Sequence, residues 1–234
     1  MFIIQSCEKD GYGNDNSNDN NESNYTENSD GTGSLTDIEN NVYKTIKIGE
    51  QIWMAENLAT TKYHDGTPIR NVTANTEWSN LTTAAYCWYE NDNESNYGIL
   101  YNWYVFETRN VCPTGWHVPA DYEWRTLEMH LGMSYEESIQ FGSRGTDEGS
   151  KLKSTNGWQE DGNGTNESGF TALPGGYRGT DGSFYNAGGW CYLWSRTETN
   201  SLGAWNRLLY HYGDKVNRNN IHKENGFSVR CLKD

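Results

Sequence analysis

Gly189 to Cys231 reads GWCYLWSRTETNSLGAWNRLLYHYGDKVNRNNIHKENGFSVRC. Rings and β-branched residues fall there in short runs, split by polar clusters such as Thr199-Asn200-Ser201 and Asn217-Arg218-Asn219-Asn220. That is the punctuation of short antiparallel strands and turns. The stretch closes on Phe227-Ser228-Val229-Arg230-Cys231, whose alternation predicts a strand with Phe227, Val229 and Cys231 on one face. Asn206, Tyr210, His211, Tyr212, Asp214, Asn217, Asn219, Asn220, Ile221 and His222 lie within this stretch and have little packing logic. Such residues supply adaptable hydrogen bonds and flat amphipathic contact. They form the candidate ligand-binding set, on a surface of about 600–1,000 Å². The bland alternative is ordinary loop composition in an Asn-rich chain.

The totals agree with a ring-built domain. Ten Trp and sixteen Tyr, beside few aliphatic residues, suit a core made of large rings and a surface that contacts sugar or protein. The chain of 234 residues holds one large domain or two small ones. Its formal net charge of −14 argues against non-specific nucleic-acid binding, which needs Lys and Arg against phosphates. The same charge disfavours adhesion to anionic lipid. No run comes near the roughly eighteen apolar residues of a membrane span, so membrane contact is expected only through a lipid anchor.

That anchor is expected at Cys7. Ile4-Gln5-Ser6-Cys7 resembles a bacterial lipobox, with an aliphatic residue three before the Cys and a small residue just before it. The apolar run Phe2-Ile3-Ile4 is far shorter than a signal h-region, so this reading requires a start upstream or a shortened leader. The alternative is an unstructured N-terminus with a stray Cys. From Glu8 to about Asp37 the chain is Asn, Ser, Asp, Gly and Glu with almost no apolar content. Such a segment cannot offset its ordering entropy by burial. Residues 1–39 are therefore expected as an anchor and a disordered tether, spanning roughly 30 Å as a coil. Glu8 and Asp10 close behind the Cys resemble an export signal of surface lipoproteins. The expected location is the bacterial cell envelope, as a lipoprotein on the outer-membrane surface.

Residues 40–234 are expected to fold. Val42 to Ile48 alternates like a strand, Gly49-Glu50 turns, and Gln51 to Met54 returns as a second strand. Ala85 to Tyr89 reads as a strand. Leu100 to Phe106 has apolar residues at helical spacing and predicts a first helix. A second starts at Pro119, with Asp121 and Glu123 in the first turn, Trp124, Leu127 and Leu131 as its buried stripe, and Gly132 to end it. Ser134 to Glu137 fits a capping box for a short third helix. Long surface loops pinned by Trp158 are expected between Gly142 and Gly169, and Asp181-Gly182 marks a hairpin turn. The order is strands, two main helices, then loops and short antiparallel strands, which is an α+β arrangement.

Five strings carry a family resemblance: Gln51 to Leu58 (QIWMAENL), Tyr97 to Trp103 (YGILYNW), Cys112 to Pro119 (CPTGWHVP), Gly169 to Arg178 (GFTALPGGYR) and Gly226 to Cys231 (GFSVRC). Together they resemble the Fibrobacter succinogenes major paralogous domain, over about residue 42 to the end. The resemblance implies a surface-exposed protein of fibre-degrading and gut bacteria. It also implies a fold similar to the C-type-lectin-like domain. In that fold a Cys ahead of the second helix bonds a Cys on the last strand, which here implies a Cys112–Cys231 disulfide. A bridge closing so long a loop is worth roughly 4–5 kcal/mol in the chain-entropy model, and an envelope setting permits it. Cys87 and Cys191 are left over, paired with each other or free. C-type-lectin-like domains also serve as receptors diversified by retroelements near the C-terminus. Such systems turn Asn codons toward Tyr, His, Asp, Ser or Ile, which the candidate set fits.

The expectation is a non-catalytic module whose partner is a surface glycan or protein. An enzyme of the formylglycine-generating type, or a purely structural surface protein, is the alternative. The formylglycine-generating enzymes use a close C-terminal Cys pair, whereas Cys191 and Cys231 stand forty residues apart. No G-x-S-x-G, H-E-x-x-H or C-x-x-C occurs. The histidines His64, His117, His130, His211 and His222 are scattered, and His117 reads as a structural residue hydrogen-bonded at a turn. No cofactor or metal is expected. Asp92 and Glu94 lack an EF-hand spacing. Lectins of this fold that bind sugar through Ca²⁺ carry Glu-Pro-Asn or Gln-Pro-Asp with a later Trp-Asn-Asp. This chain has Trp205-Asn206-Arg207 and neither Pro-containing triplet.

Overall fold

Strand β3 (Val42–Ile48) and strand β4 (Gln51–Met54) pair antiparallel as their alternation predicts. Gly49 turns them at φ +61°, where a Cβ would press on the His130 ring. This hairpin sits inside a computed structural model that describes residues 24–107 and 110–234. Cys7, where the anchor is expected, and the first part of the expected tether lie outside those residues.

The domain starts earlier than composition suggests. Strand β1 (Asn24–Glu27) pairs with strand β2 (Thr32–Thr36), and β2 pairs with β3. Among the described residues, folded structure therefore begins at Asn24 rather than at the expected 40. Two apolar side chains are enough to hold this polar segment. Leu35 is fully buried, and the Tyr25 ring meets Trp116 edge-on at 5.4 Å. An edge hairpin buries one face only, so Asn, Ser and Thr can fill the other. The Asp37 carboxylate then accepts from Asn41 and from the Tyr43 hydroxyl, shaping the turn into β3.

Helix α1 (Asn75–Trp78) is a single turn, and strands β5 (Tyr86–Trp88) and β6 (Ile99–Tyr101) pair antiparallel. Leu100 to Phe106 is not the helix that its spacing predicts. It is the end of β6 and a 3-10 turn, Trp103–Phe106. Buried Asn102 accepts from Ala85 N–H and donates to Thr83 C=O, and Tyr101 exchanges backbone bonds with Phe227. Those sideways bonds displace the helical ladder, and rings on all sides produce the apolar spacing.

After strand β7 (Trp116–His117) comes α2 (Asp121–His130), the one helix of more than five residues among the described residues. Trp124 and Leu127 are buried as the stripe predicts, Leu131 is half-buried, and Gly132 follows at φ +127°. Helix α3 (Tyr135–Ser138) has the predicted capping box: Ser134 Oγ accepts from Glu137 N–H, and the Glu137 carboxylate accepts from Ser134 N–H. Strand β8 (Gly142–Arg144) and helix α4 (Glu148–Leu152) interrupt the expected loops, which Trp158 pins by donating to Ser154 Oγ and Ala172 C=O.

The elements that follow are all strands: β9 (Gly175–Arg178), β10 (Phe184–Ala187), β11 (Trp190–Glu198), β12 (Gly203–Tyr210), β13 (Val216–His222) and β14 (Leu232–Lys233). One sheet runs β1-β2-β3-β4-β14-β7 and the other β10-β9-β11-β12-β13-β8. All pairs are antiparallel except β9 with β11. The described chain is thus mostly β, with four short helices in place of two main ones. Phe227 to Cys231 runs between the sheets by isolated bridges, and its two faces are equally buried. The disulfide Cys112–Cys231 is present, whereas Cys87 and Cys191 are free, buried in separate clusters. No helix among the described residues is long and apolar enough to cross a membrane.

If β1 and β2 belong to the cooperative unit, a chain cut to begin at Asn40 should unfold in urea with about 2–5 kcal/mol less stability, the range for emptying a buried Leu site. An unchanged midpoint would place the first two strands outside the folding unit.

Candidate functional site

The β9–β13 sheet has two unlike faces, set by residue alternation. Cys191, Leu193, Leu209 and Val216 turn toward α2 and pack with Trp124 and Leu127. Arg207 lies on that side too, donating to Glu128 at 2.5 Å and Asp121 at 2.9 Å. Arg218 forks onto Asp121 at 2.8 and 2.9 Å, and Arg144 meets Glu128 at 2.6 Å. Burial works to raise the Asp121 carboxyl, but the Arg218 and Arg207 guanidiniums hold it below the usual carboxylate range.

The opposite face carries a strip of rings. Tyr185 on β10 stacks on Tyr177 of β9 at 5.3 Å, and Tyr177 meets Tyr192 of β11 at 4.7 Å. Trp190 lies 5.9 Å from Tyr192 and 5.1 Å from Tyr210 of β12. Tyr210 stacks on Tyr212 at 4.8 Å with only 16° between the planes. The two ends are open, Tyr185 at 38 % and Tyr212 at 66 % exposure, while Tyr192 is buried. Burial raises the hydroxyls of Tyr177 and Tyr210, so both stay neutral at ordinary pH.

The ten residues singled out from the sequence do not form one surface. Tyr210, His211, Tyr212 and Asp214 cluster at the turn after β12, where His211 packs edge-on to Tyr212. Asn220, Ile221 and His222 sit at the other end of β13, beside a hollow of about 200 Å³ shared with Asn200 and Leu202. At the strand rise this is roughly 20 Å away. Between them Asn206 is fully buried and Asn217 nearly so, and neither amide oxygen meets a donor among the described residues. Asn206 donates to the backbone of half-buried Asn219. Sequence reasoning missed Tyr177, Tyr185, Trp190 and Tyr192. The signal was there: Trp190, Tyr192 and Trp194 recur at period two, and Tyr177 and Tyr185 stand four residues either side of Asp181.

Titratable groups also meet in a cleft of about 540 Å³ lined by Phe106, Trp116, His117, Tyr122, Glu123 and Arg196. His117 contacts Glu123 through Nε2 at 2.9 Å and Asp234 through Nδ1. Its hydrogen bond to Glu123, and after it the one to Asp234, hold its protonation above the ordinary histidine value despite burial. His117 is hydrogen-bonded as expected, though on β7 rather than at a turn. With both nitrogens committed to carboxylates, the ring is placed to tie β7 to α2. Among the described residues, no group of three or more His, Cys, Asp or Glu is placed to hold a metal ion. Asp92 caps its own turn by accepting from Glu94 N–H.

The model of one protein family, the Fibrobacter succinogenes major domain, matches residues 46–233. No curated protein and no solved structure matches the chain.

The His117 contacts imply a pH dependence. A histidine whose folded pKa is raised contributes stability in full below its unfolded value, and that contribution is lost as pH rises through the folded value. The stability difference between wild type and His117→Asn should therefore be largest near pH 6 and shrink toward pH 9 in urea titrations. A difference that stays flat over this range would show that the ring is not held as a cation.

Proposed function

The chain belongs to the Fibrobacter succinogenes major domain family, and from that premise we propose that it is a non-catalytic binding module that takes a neutral glycan on its ring strip. The observation that carries this reading is the run of six rings from Tyr185 to Tyr212. The apolar face of a sugar ring packs on such surfaces, as amphipathic rings do at recognition sites generally. Amides suited to hydroxyls stand near it, among them Gln159, whose Nε2 donates to Ala187 C=O beside the strip. The cations Arg207 and Arg218 are paired on the opposite face, and the net charge of −14 repels acidic polymers. A neutral ligand follows.

Neighbouring planes along the strip differ by 16° to 87°. A twisted, soluble chain suits that relief better than a flat crystalline face. In this reading the frame is of C-type-lectin-like type, supported by the bridge from the segment ahead of α2 to the residue before the last strand. Sugar contact is not of the Ca²⁺ kind, because Arg207 is bound to Asp121 and Glu128 where a carboxylate would be needed.

The test is an array of neutral glycans, acidic glycans and cell-surface proteins probed with the whole chain. Neutral glycans should be retained. Tyr210→Ala with Tyr212→Ala should weaken retention at least tenfold, about 1.4 kcal/mol, while Asn220→Ala with His222→Ala should not. Retention of protein alone, or a tyrosine variant that binds as wild type, would overturn the proposal.

A further inference from the structure

Lys153 follows α4 and is almost completely buried. Its ammonium donates to three backbone carbonyls: Gly162 at 2.8 Å, Gly213 at 3.1 Å and Tyr210 at 3.2 Å. An ammonium has three donors, and all three are used. Burial pulls the Lys153 pKa down, but a neutral amine would turn a lone pair on one of these oxygens. The Trp158 ring lies 5.2 Å from the nitrogen and closes the cage on one side.

Two of the three carbonyls flank the turn that carries His211 and Tyr212. The same turn is tied to α4 a second time, because Ser150 N–H donates to Asp214 C=O. It is wedged from the other side by Gly162, where a Cβ would lie 2.2 Å from the His211 oxygen. The His211 N–H reaches back to Gly189 C=O at the start of β11. The loop that supplies Gly162 is itself bound near the strip, since Gln159 N–H donates to Gly188 C=O. Lys153, whose ammonium is held by backbone carbonyls with the Asp214 charge nearby, thus touches both sides of the last turn of the ring strip. If that end were free to move, Tyr212 would have no reason to hold 16° from Tyr210.

We propose that Lys153 is the positioning residue of the ring strip: its caged ammonium fixes the Tyr210–Gly213 turn and so sets Tyr212 against Tyr210. The significance for a ligand rests on the reading of the strip as the binding face. The claim about the turn stands on the cage alone. A hydrogen-bonded ammonium costs little further ordering, and a surface held in its bound shape before the ligand arrives binds more tightly.

Two variants test it, Lys153→Met, which fills the space without the charge, and Lys153→Ala, which empties it. Both are made in the whole chain, and amide hydrogen exchange is read by nuclear magnetic resonance. The His211 amide should exchange at least tenfold faster in both, while amides in the middle of β11 and β12 keep their wild-type rates. Adding methylammonium ion should restore the His211 rate in Lys153→Ala, whose cage it can enter, and not in Lys153→Met. An unchanged His211 rate would overturn the proposal, as would equal loosening throughout β11 to β13 with no methylammonium effect. Any neutral glycan that wild type retains should bind Lys153→Met at least threefold more weakly. If wild type retains none, the functional reading falls, and the exchange rates still decide the role of Lys153.

Discussion

Arg230 carries a positive charge into the interior, where it is fully buried. Its guanidinium donates to Asn57 Oδ1 at 2.6 Å and to the carbonyls of Met54, Phe170 and Thr171 at 3.1, 2.6 and 2.9 Å. The Phe170 ring lies 4.6 Å from the cation. Burial lowers the pKa to about 10, so the group stays charged at neutral pH. A buried cation is tolerable only when its donors are all answered. The end of β4 with the residues after it, the loop before β9 and the run into β14 must therefore arrive together. The next residue, Cys231, adds Cys112 to the same knot.

Arg178 repeats the device. It donates to Val72, Thr73 and Gly182 carbonyls and lies between the Trp78 and Phe184 rings at 4.4 and 4.8 Å. The strings that identify the family are these clamps. Asn57 belongs to QIWMAENL, Phe170, Thr171 and Arg178 to GFTALPGGYR, and Arg230 with Cys231 to GFSVRC. They specify a frame. Of the six strip rings only Tyr177 falls in one of the five strings, and Tyr185, Trp190, Tyr192, Tyr210 and Tyr212 lie outside them, so the frame carries the ring strip but specifies little of it. The ion pairs of Arg207 and Arg218 with α2 hold one face of the sheet, while on the other face Tyr192 and Trp194 pack on Phe227 and the strip opens only at its ends.

Where a residue's neighbours in sequence are also its neighbours in space, the chain was legible. The β3–β4 hairpin, the α2 stripe, the Ser134 capping box and the turn at Asp181-Gly182 all answer to local rules. The Cys112–Cys231 bridge came from the family resemblance. Two readings failed for a shared reason. Leu100 to Phe106 looked helical, and Asn24 to Thr36 looked disordered, because their partners are distant: Phe227 for the first, Trp116 and β3 for the second. The candidate site split for a related reason. Asn206 and Asn217 read as surface residues by type, but a strand that packs on both faces buries them. The rings of β9 to β11 were overlooked because only the sheet brings them beside Tyr210.

The Arg230 guanidinium fork holds distant segments at once, and its exchange for a point charge is the most direct test. Arg230→Lys keeps the charge but has three donors and a shorter reach, and cannot answer four acceptors spread over two distant segments. The measurement is urea unfolding of Arg230→Lys beside wild type, both with the disulfide intact. The expected loss is about 3–5 kcal/mol, the cost of breaking a buried charged network from one side. A lysine variant that unfolds at the wild-type midpoint would contradict it.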